Sequence, residues 1–425
     1  MKNIHKNHKV RKSLKLSILD GSAYAAMLGL TQNYMTPLAL ELKATTAQIG
    51  LLASVPSLTM ALSQLAAPRL SERAGSRKGL ILPVVFTHAV MFIPILFIPF
   101  LMHTAQVWWL IGFVTVSVVS GAIANPAWGS MMADLVPESL RGRYFGFRGQ
   151  IAGLITLVFF FIGGAVLQYF TGINVFAGYA ILFGGAAVFR LLSFFFLSRM
   201  YEPVQAASKA DGPGLFELVK NMWSSNLGKF TLYIALIDFG VCVSAPFFTV
   251  YMLRDLHFSY MSFVVVTSAS TIATFVFQTF WGRRADMAGN IKVIKFTSMI
   301  LPVVPLLWLG STNIYYLIAA NIVSGFAWSG YMLSAVNFVY DASEPRLRTR
   351  QIAIFNATDG TACCLGALIG GFIAPYLPEL LGFQLRSLFT ISGVLRGLVV
   401  ILMLRKITEV RHVPEMTIQR FMKGR

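Results

Sequence analysis

The stretch Gly282-Arg-Arg-Ala-Asp-Met-Ala-Gly-Asn290, GRRADMAGN, sets one Asp and two Arg between two long apolar runs. A related stretch, PRLSERAGS, occupies Pro68 to Ser76, so that Gly75 and Gly289 correspond at an offset of 214 residues. The apolar runs on either side identify the solvent. Hydrophobic residues make up 56% of the 425-residue chain and charged residues only 12%, with a mean hydropathy of +0.68. A water-soluble domain carries about 25% charged residues, so this composition belongs in lipid.

Twelve apolar segments of 20 to 29 residues are each long enough to cross a hydrocarbon core of about 30 Å. They fall near residues 14–41, 47–69, 79–102, 106–134, 146–171, 174–198, 229–253, 259–281, 291–310, 313–340, 351–378 and 384–405. The expected fold is all-α and polytopic.

The net charge of +18 is a topology signal. With a cytoplasmic N-terminus, about 30 of the 35 Lys and Arg fall on the inner side. Lys43, Arg254 and Arg386 fall outside, and Arg190 and Arg396 lie within spans. The opposite orientation would break the positive-inside rule. Both termini are therefore expected in the cytoplasm, in an inner cell membrane, with attraction to anionic lipid a secondary effect. A nucleic-acid partner is not expected, because the basic residues mark loops rather than one binding face. The opening MKNIHKNHKVRKSLK leads into a full-length span with no small-residue cleavage site, so it reads as the approach to the first helix. Cys242, Cys363 and Cys364 all lie in expected spans and read as small apolar packers.

Residues 200–228 form the one long hydrophilic connection, ending in GLFELVKNMW, which suits a short interfacial helix. They divide a six-helix half, 1–199, from a second, 229–425. The halves repeat. Leu140-Arg-Gly-Arg143 and Leu347-Arg-Thr-Arg350 correspond at an offset of 207, as do Ile162-Gly-Gly164 and Ile369-Gly-Gly371. Asp20 and Asp238 sit at similar depths in the first span of each half, and Arg190 and Arg396 in the last. An even number of spans per half gives both copies one orientation, related by an axis along the membrane normal.

Two copies of a G-x-x-x-[DE]-R-x-G-x-[RK]-like loop, after the second and eighth of twelve spans, resemble the major facilitator superfamily. The first copy departs from the pattern, with Pro68 in place of the usual Gly and Glu72 in place of the usual Asp. NPAWGSMMADLVPESLRGRYFGFR resembles the region between the fourth and fifth spans of poorly characterised bacterial members. The resemblance implies two pseudo-symmetric six-helix bundles and a latch that holds the outward-open state. Carried over by position, the latch role falls on Glu72, Arg73, Gly75 and Lys78, and on Asp286 and Gly289. The bland alternative is that these residues only anchor topology and form turns. Gly75 and Gly289 suit a positive φ. Glu72 and Asp286 can bond a helix N-terminus or the Arg of the neighbouring loops, Arg141, Arg143, Arg348 and Arg350.

Ionisable residues inside spans are functional candidates because lipid makes them costly. Asp20 with Arg190, and Asp238 with Arg396, read as an ion pair in each half. The alternative is an Asp that takes up and releases a proton during transport. Asp359 has no mirrored partner in the fifth span, where Gly153 is the near equivalent, so it is a candidate for a specific task. Asp134 reads as a cap or latch partner. By the resemblance, the first, fourth, seventh and tenth spans line a central cavity. The candidates there are Tyr24, Gln32 and Asn33, then Asn125 and Trp128, then Tyr233, and finally Asn321, Trp328, Tyr331 and Asn337. Rings and amides together suit a mixed pocket.

No Walker loop, metal-ligand constellation or catalytic triad is present, so neither ATP, a metal, a cofactor nor an enzymatic reaction is expected. The expectation is a monomeric carrier of a small solute, working by alternating access and coupled to protons. An uncoupled facilitator or an exporter of amphipathic compounds is the first alternative, and a non-transporting receptor or scaffold the second.

Overall fold

The computed structural model describes residues 8–73, 75–203, 220, 222–344 and 347–411, without the side chains of residues 64–73, 138 and 349. The described chain is helical. Two compact units arise, Met1–Lys209 with Ser259–Met261, and Ala210–Phe258 with Ser262–Arg425. The expected interfacial helix within 200–228 lies almost wholly outside the described residues.

In the first unit the helices are α1 (His8–Thr31), α2 (Met35–Glu41), α3 (Thr46–Arg73), α4 (Arg77–Val90), α5 (Phe92–Leu101), α6 (Gln106–Leu135), α7 (Arg141–Phe170) and α8 (Val175–Ser198). The second unit carries α9 (Asn226–Val250), α10 (Tyr260–Ala288), α11 (Asn290–Ile300), α12 (Val303–Gly310), α13 (Ile314–Ala342), α14 (Arg348–Ile373) and α15 (Gln384–Met403). The first residues of α10 cluster with the first unit.

Among the described residues, 11 helical stretches are long and apolar enough to span a membrane. The expected first span is not among them. At 24 residues α1 has the length, but Lys9, Arg11, Lys12, Lys15 and Asp20 make it the most charged helix of the first unit. It is nevertheless packed along α7 and α8.

Three expected spans are broken, and proline sets each break. Residues 14–41 divide at the turn Gln32–Tyr34, residues 79–102 at Met91, and residues 291–310 at Leu301–Pro302. Pro37, Pro94 and Pro305 stand four residues beyond Asn33, Val90 and Leu301. A proline has no N–H for the carbonyl four residues back, and its ring crowds that carbonyl, so the helix parts there. Pro126 and Pro246 lie inside α6 and α9, which continue through them.

The two units share a packing plan. α1 packs on α7 and α8, and α9 packs on α14 and α15. Side chains of α7 stitch it to the backbone of α1. Tyr144 Oη donates to Leu14 O at 2.9 Å, Arg148 Nε to Ser17 O at 3.1 Å and Thr156 Oγ1 to Ala25 O at 3.2 Å. Tyr34 returns the contact by donating to Phe160 O. Gly163 leaves room for the Tyr34 ring, which a Cβ there would approach to 2.6 Å.

In the second unit, Gly366 and Gly370 bring α14 onto the bare backbone of α9. A Cβ at these positions would lie 2.3 Å from Phe239 O and 2.1 Å from Val243 O. One turn of this contact is covalent: Cys242 and Cys363 form a disulfide, with Cα atoms 5.1 Å apart. The reading of all three cysteines as packers is therefore corrected, and only Cys364 is a free buried thiol. Their pairing follows from the small-residue contact, which no sequence spacing of 121 residues could announce.

Candidate functional site

The first unit holds a cavity of about 370 Å³ between α1, α2, α3, α4, α5 and α6. Its polar positions include Tyr24, Gln32, Thr36, His88, Ser117 and Asn125. Met27, Met35, Met60 and Phe92 supply much of the apolar wall. Breaking α1 from α2 at Gln32–Tyr34 places Gln32 and Thr36 on this wall from two differently directed segments. His88 is 7% exposed and its Nδ1 has no hydrogen-bond partner, so a polar edge faces the cavity unmet. The ring rests against Gly121, where a Cβ would lie 3.2 Å from His88 Cε1. Tyr24, Gln32 and Asn125 of the expected cavity residues line this space. Asn33 is exposed and Trp128 serves elsewhere.

Below the cavity wall lies a charged network that differs from the expected pair. Asp20, 3% exposed, accepts a hydrogen bond from Ser193 Oγ at 2.7 Å. Ser193 in turn accepts from Arg190 Nη1 at 2.9 Å. Arg190 and Asp20 form no direct ion pair among the described residues. The cation beside Asp20 is Arg148 of α7, with Nη2 at 3.6 Å from Oδ2. The Arg148 guanidinium also stacks over Trp128 at 4.4 Å, and that of Arg190 over Tyr24 at 4.7 Å. Gly21 makes the approach possible, because a Cβ there would lie 2.6 Å from Arg148 Nη2. Desolvated guanidinium–aromatic contacts are worth about 2 kcal/mol, so both Arg gain partners beyond the carboxylate.

The equivalent place in the second unit is built differently. Asp238 of α9 meets no ion pair with Arg396, again against expectation. Arg396, 1% exposed, donates through Nη1 to Leu301 O at 3.1 Å and through Nη2 to Ser244 Oγ at 3.0 Å. Asp238 instead has Asp359 of α14 as its neighbour. Asp359 thus has a partner, on α9 rather than at a mirrored site of the fifth span. Oδ1 of each Asp, Arg396 Nε and Tyr331 Oη are all buried without hydrogen-bond partners. Tyr331 and Tyr233 belong to the core, Tyr233 donating to Ser298 Oγ at 2.5 Å. Trp328 packs on that core, 5.5 Å from the Tyr331 ring. Asn321 Nδ2 donates to Leu317 O of its own helix, and Asn337 is half-buried on α13.

The repeated loops form a third constellation. Gly75 and Gly289 take φ of 63° and 90°. In each unit, the helix that follows has its N-terminal N–H groups held by a Glu from beyond the last helix. Glu202 accepts from the Arg77 N–H at 2.7 Å and from Ser76 Oγ at 2.8 Å. Glu409 accepts from the Ile291 N–H at 2.8 Å. Arg77, 1% exposed, pairs with Asp134 at 2.6 Å, and Asn290 Nδ2 donates to Asp341 Oδ2 at 2.9 Å. A carboxylate at a helix N-terminus satisfies free donors and meets the positive end of the helix dipole.

In the second loop the helix start is held by Glu409 and not, as the sequence reading allowed, by Asp286. Asp286 is 79% exposed and lies 3.9 Å from Arg411, which pairs more closely with Asp341 at 3.0 Å. The side chains of Glu72 and Arg73 lie outside the described residues. Lys78 Nζ donates to Ser198 O and Met200 O, at 2.7 and 2.9 Å. Arg141 donates to Ala133 O at 2.7 Å, closing the end of α6. Arg143 is exposed, while Arg348 and Arg350 are half-buried at the start of α14. Arg386 is a buried residue of α15 that donates to Tyr251 Oη at 2.9 Å. The missed partners carried a sequence signal. Glu202 and Glu409, like Asp134 and Asp341, correspond at the same offset of 207 residues as the LRGR and LRTR loops.

Comparison with known proteins agrees with this architecture. The Major Facilitator Superfamily profile matches residues 21–250 and 230–421. An MFS-type transporter of Aspergillus terreus is 25% identical over 124 residues, which span 29% of this chain and 22% of that protein. Among solved structures, the nucleoside transporter NupG aligns with a TM-score of 0.69 at 15% identity, over 93% of this chain and 98% of that one. A D-xylose-proton symporter aligns at 0.70 and 12% identity, over 95% and 98%. A bacterial homologue of the human lysosomal transporter Spinster, inward-facing and unoccupied, aligns at 0.69 and 14% identity, over 96% and 100%. At these identities the structures establish a shared fold.

Proposed function

This chain belongs to the major facilitator superfamily, and we propose that it is a twelve-span, proton-coupled carrier of a small solute, working by alternating access with both termini in the cytoplasm. It is a multi-pass membrane transporter by family. On this reading α1 is the twelfth span, and its one acidic residue, Asp20, faces Arg148 of α7 and Ser193 of α8. The observation that carries the reading is the 370 Å³ cavity with His88, Asn125 and Gln32 on its wall. It combines apolar surface with a few convergent polar groups, the usual make-up of a small-molecule site.

The wall bears no Lys, Arg, Asp or Glu, which suits an uncharged solute with hydrogen-bonding groups at one edge. The cluster of Met27, Met35, Met60 and Phe92 favours a second reading, an uncoupled carrier or exporter of amphipathic compounds. The loop networks around Arg77 and Asn290 support the conformational part of the reading. Each ties the start of one helix to the ends of two others with charged hydrogen bonds, so that the helices of one unit are held to move as a body.

The experiment is thermal unfolding of purified protein against metabolites, drugs and lipids, at about pH 5.5 and about pH 7.5, followed by uptake of any hit into proteoliposomes. A ligand at about 100 times its Kd adds roughly 2.7 kcal/mol of stability. Uptake driven by an imposed pH gradient supports the coupled reading. Uptake that ignores the gradient favours the uncoupled one.

A further inference from the structure

The cavity of the first unit lies in one half of a duplicated sequence, and two of its positions differ sharply from their counterparts in the other half. At the offset of 214 that relates Gly75 to Gly289, His88 corresponds to Pro302. At the offset of 207 that relates the LRGR and LRTR loops, Gly121 corresponds to Trp328. Pro302 stands at the break between α11 and α12, and Trp328 packs on the second unit's core, 5.5 Å from the Tyr331 ring. The corresponding positions of the first unit hold an imidazole and no side chain. The two are in contact, because a Cβ at Gly121 would lie 3.3 Å from His88 Nδ1 and 3.2 Å from Cε1.

The fold does not require this histidine, since the second unit packs a proline and an indole at the counterpart positions. A buried ring nitrogen without a partner lowers stability. His88 is 7% exposed, its Nδ1 has no partner, and its ring contact is with Phe92 at 5.5 Å. Opposite it, α6 brings Ser117, Gly121 and Asn125 to the wall at intervals of four, which is one face of a helix. Gly121 is the opening in that face, with a polar side chain one turn to either side.

The wall selects among ligands that could meet His88. It carries no Lys, Arg, Asp or Glu, so a charged ligand would enter without a counter-charge. Met27, Met35, Met60 and Phe92 supply thioethers and a ring face, which favour an aromatic body. An apolar cavity of roughly 150 Å³ accepts one benzene ring. At about 370 Å³ this cavity admits two fused rings with a substituent. A neutral imidazole has one nitrogen that donates and one that accepts, and a hydroxyl can pair with either.

We propose that His88 and Gly121 form a subsite for the hydroxyl of a neutral, fused-ring aromatic solute. His88 is the residue that selects such a solute over its unsubstituted and its charged relatives. The rings lie among the Met side chains and Phe92, and the hydroxyl meets the imidazole beside the bare backbone of Gly121. Ser117 or Asn125, one turn away on α6, takes the hydroxyl's remaining hydrogen bond. This inference rests on the reading of the cavity as the solute site, but binding can be measured without transport.

The test is equilibrium binding of naphthol, naphthalene and naphthoate to the purified full-length protein in lipid nanodiscs. Wild type is compared with His88→Phe, His88→Gln and Gly121→Leu. Wild type should bind naphthol and not naphthoate. The ratio of naphthol to naphthalene affinity should fall about tenfold in His88→Phe, a comparison in which partition into lipid cancels. Naphthalene binding that persists in His88→Phe shows that the cavity itself is intact. His88→Gln keeps a donor and an acceptor and should retain most of the ratio, whereas Gly121→Leu should bind neither probe. An unchanged ratio in His88→Phe, equal binding of naphthoate, or no binding of naphthol by wild type overturns the proposal. Should His88→Phe fail to fold, magnetic resonance of wild type labelled at the histidine ring nitrogens decides alone. Naphthol should shift a ring-nitrogen signal that naphthalene leaves in place, and a spectrum that naphthol leaves unchanged overturns the proposal. Selective binding without uptake of naphthol into proteoliposomes would support the subsite and refute the transport reading.

Discussion

Ser193 stands between Asp20 and Arg190, donating to the carboxylate at 2.7 Å and accepting from the guanidinium at 2.9 Å. The carboxylate's own cation comes from a different helix, with Arg148 at 3.6 Å. A buried charge in lipid is tolerated when it has partners, and here one small hydroxyl serves two charges at once.

Double-mutant cycles should separate these partners. Arg148→Ala leaves Asp20 buried without a cation and is expected to cost about 3 kcal/mol, with much of the loss recovered by adding Asp20→Asn. Arg190→Ala and Asp20→Asn should couple less, and Ser193→Ala should abolish that coupling. Thermal unfolding in detergent reads each cycle. Stronger coupling for Arg190 than for Arg148 would contradict the geometry.

Arg77 is 1% exposed and Asp134 is 47% exposed, so the two ends of this pair are unequal. Arg77→Ala removes a group that also holds Ser130 Oγ and Pro203 O, and should be the more destabilising change. Asp134→Asn keeps a hydrogen-bond acceptor at the solvated end and should cost about 1 kcal/mol. Glu202→Gln and Glu409→Gln should act alike, each weakening one helix start by about 1 kcal/mol. If only one of them mattered, the two loops would not be equivalent devices.

Glycine substitutions divide by what surrounds them. At Gly366 and Gly370 a methyl meets backbone carbonyls, and Ala is expected to cost about 1–3 kcal/mol by forcing α9 and α14 apart. At Gly129 a Cβ meets nothing within 4 Å, so Ala should be neutral or slightly stabilising. Gly75→Ala should cost about 1–2 kcal/mol through φ alone, since space there is open. Equal effects at Gly366 and Gly129 would mean that α9 and α14 are less closely packed than described.

The cavity makes a ligand-dependent prediction. Gly121→Leu should fill the space beside His88, leaving the fold intact and removing the thermal shift given by any solute hit. His88→Ala and Asn125→Ala should reduce that shift by about 1–2 kcal/mol each. Retention of the full shift in Gly121→Leu would place the solute elsewhere.

The hydrophobic spans were legible because lipid demands about 20 apolar residues per crossing, a demand that composition alone reveals. Prolines and glycines were legible for a local reason as well. Pro37, Pro94 and Pro305 break helices through their own missing N–H groups, and Gly75 and Gly289 turn through their own φ. Even the acids that hold the helix starts, Glu202 and Glu409, were recoverable from the repeat offset.

Which partner each buried charge takes was decided only in the tertiary structure. Helices that are apolar all round carry no stripe that fixes their rotation, so depth could be read but direction could not. Each step along a helix turns a side chain by about 100°, and that turn selects among neighbours. Rotation set by Gly366 against Phe239 points Asp238 at Asp359, and Gly21 opens the space through which Arg148 reaches Asp20. Close packing of small residues, far apart in sequence, thus determined whether an embedded carboxyl met a cation or another carboxyl.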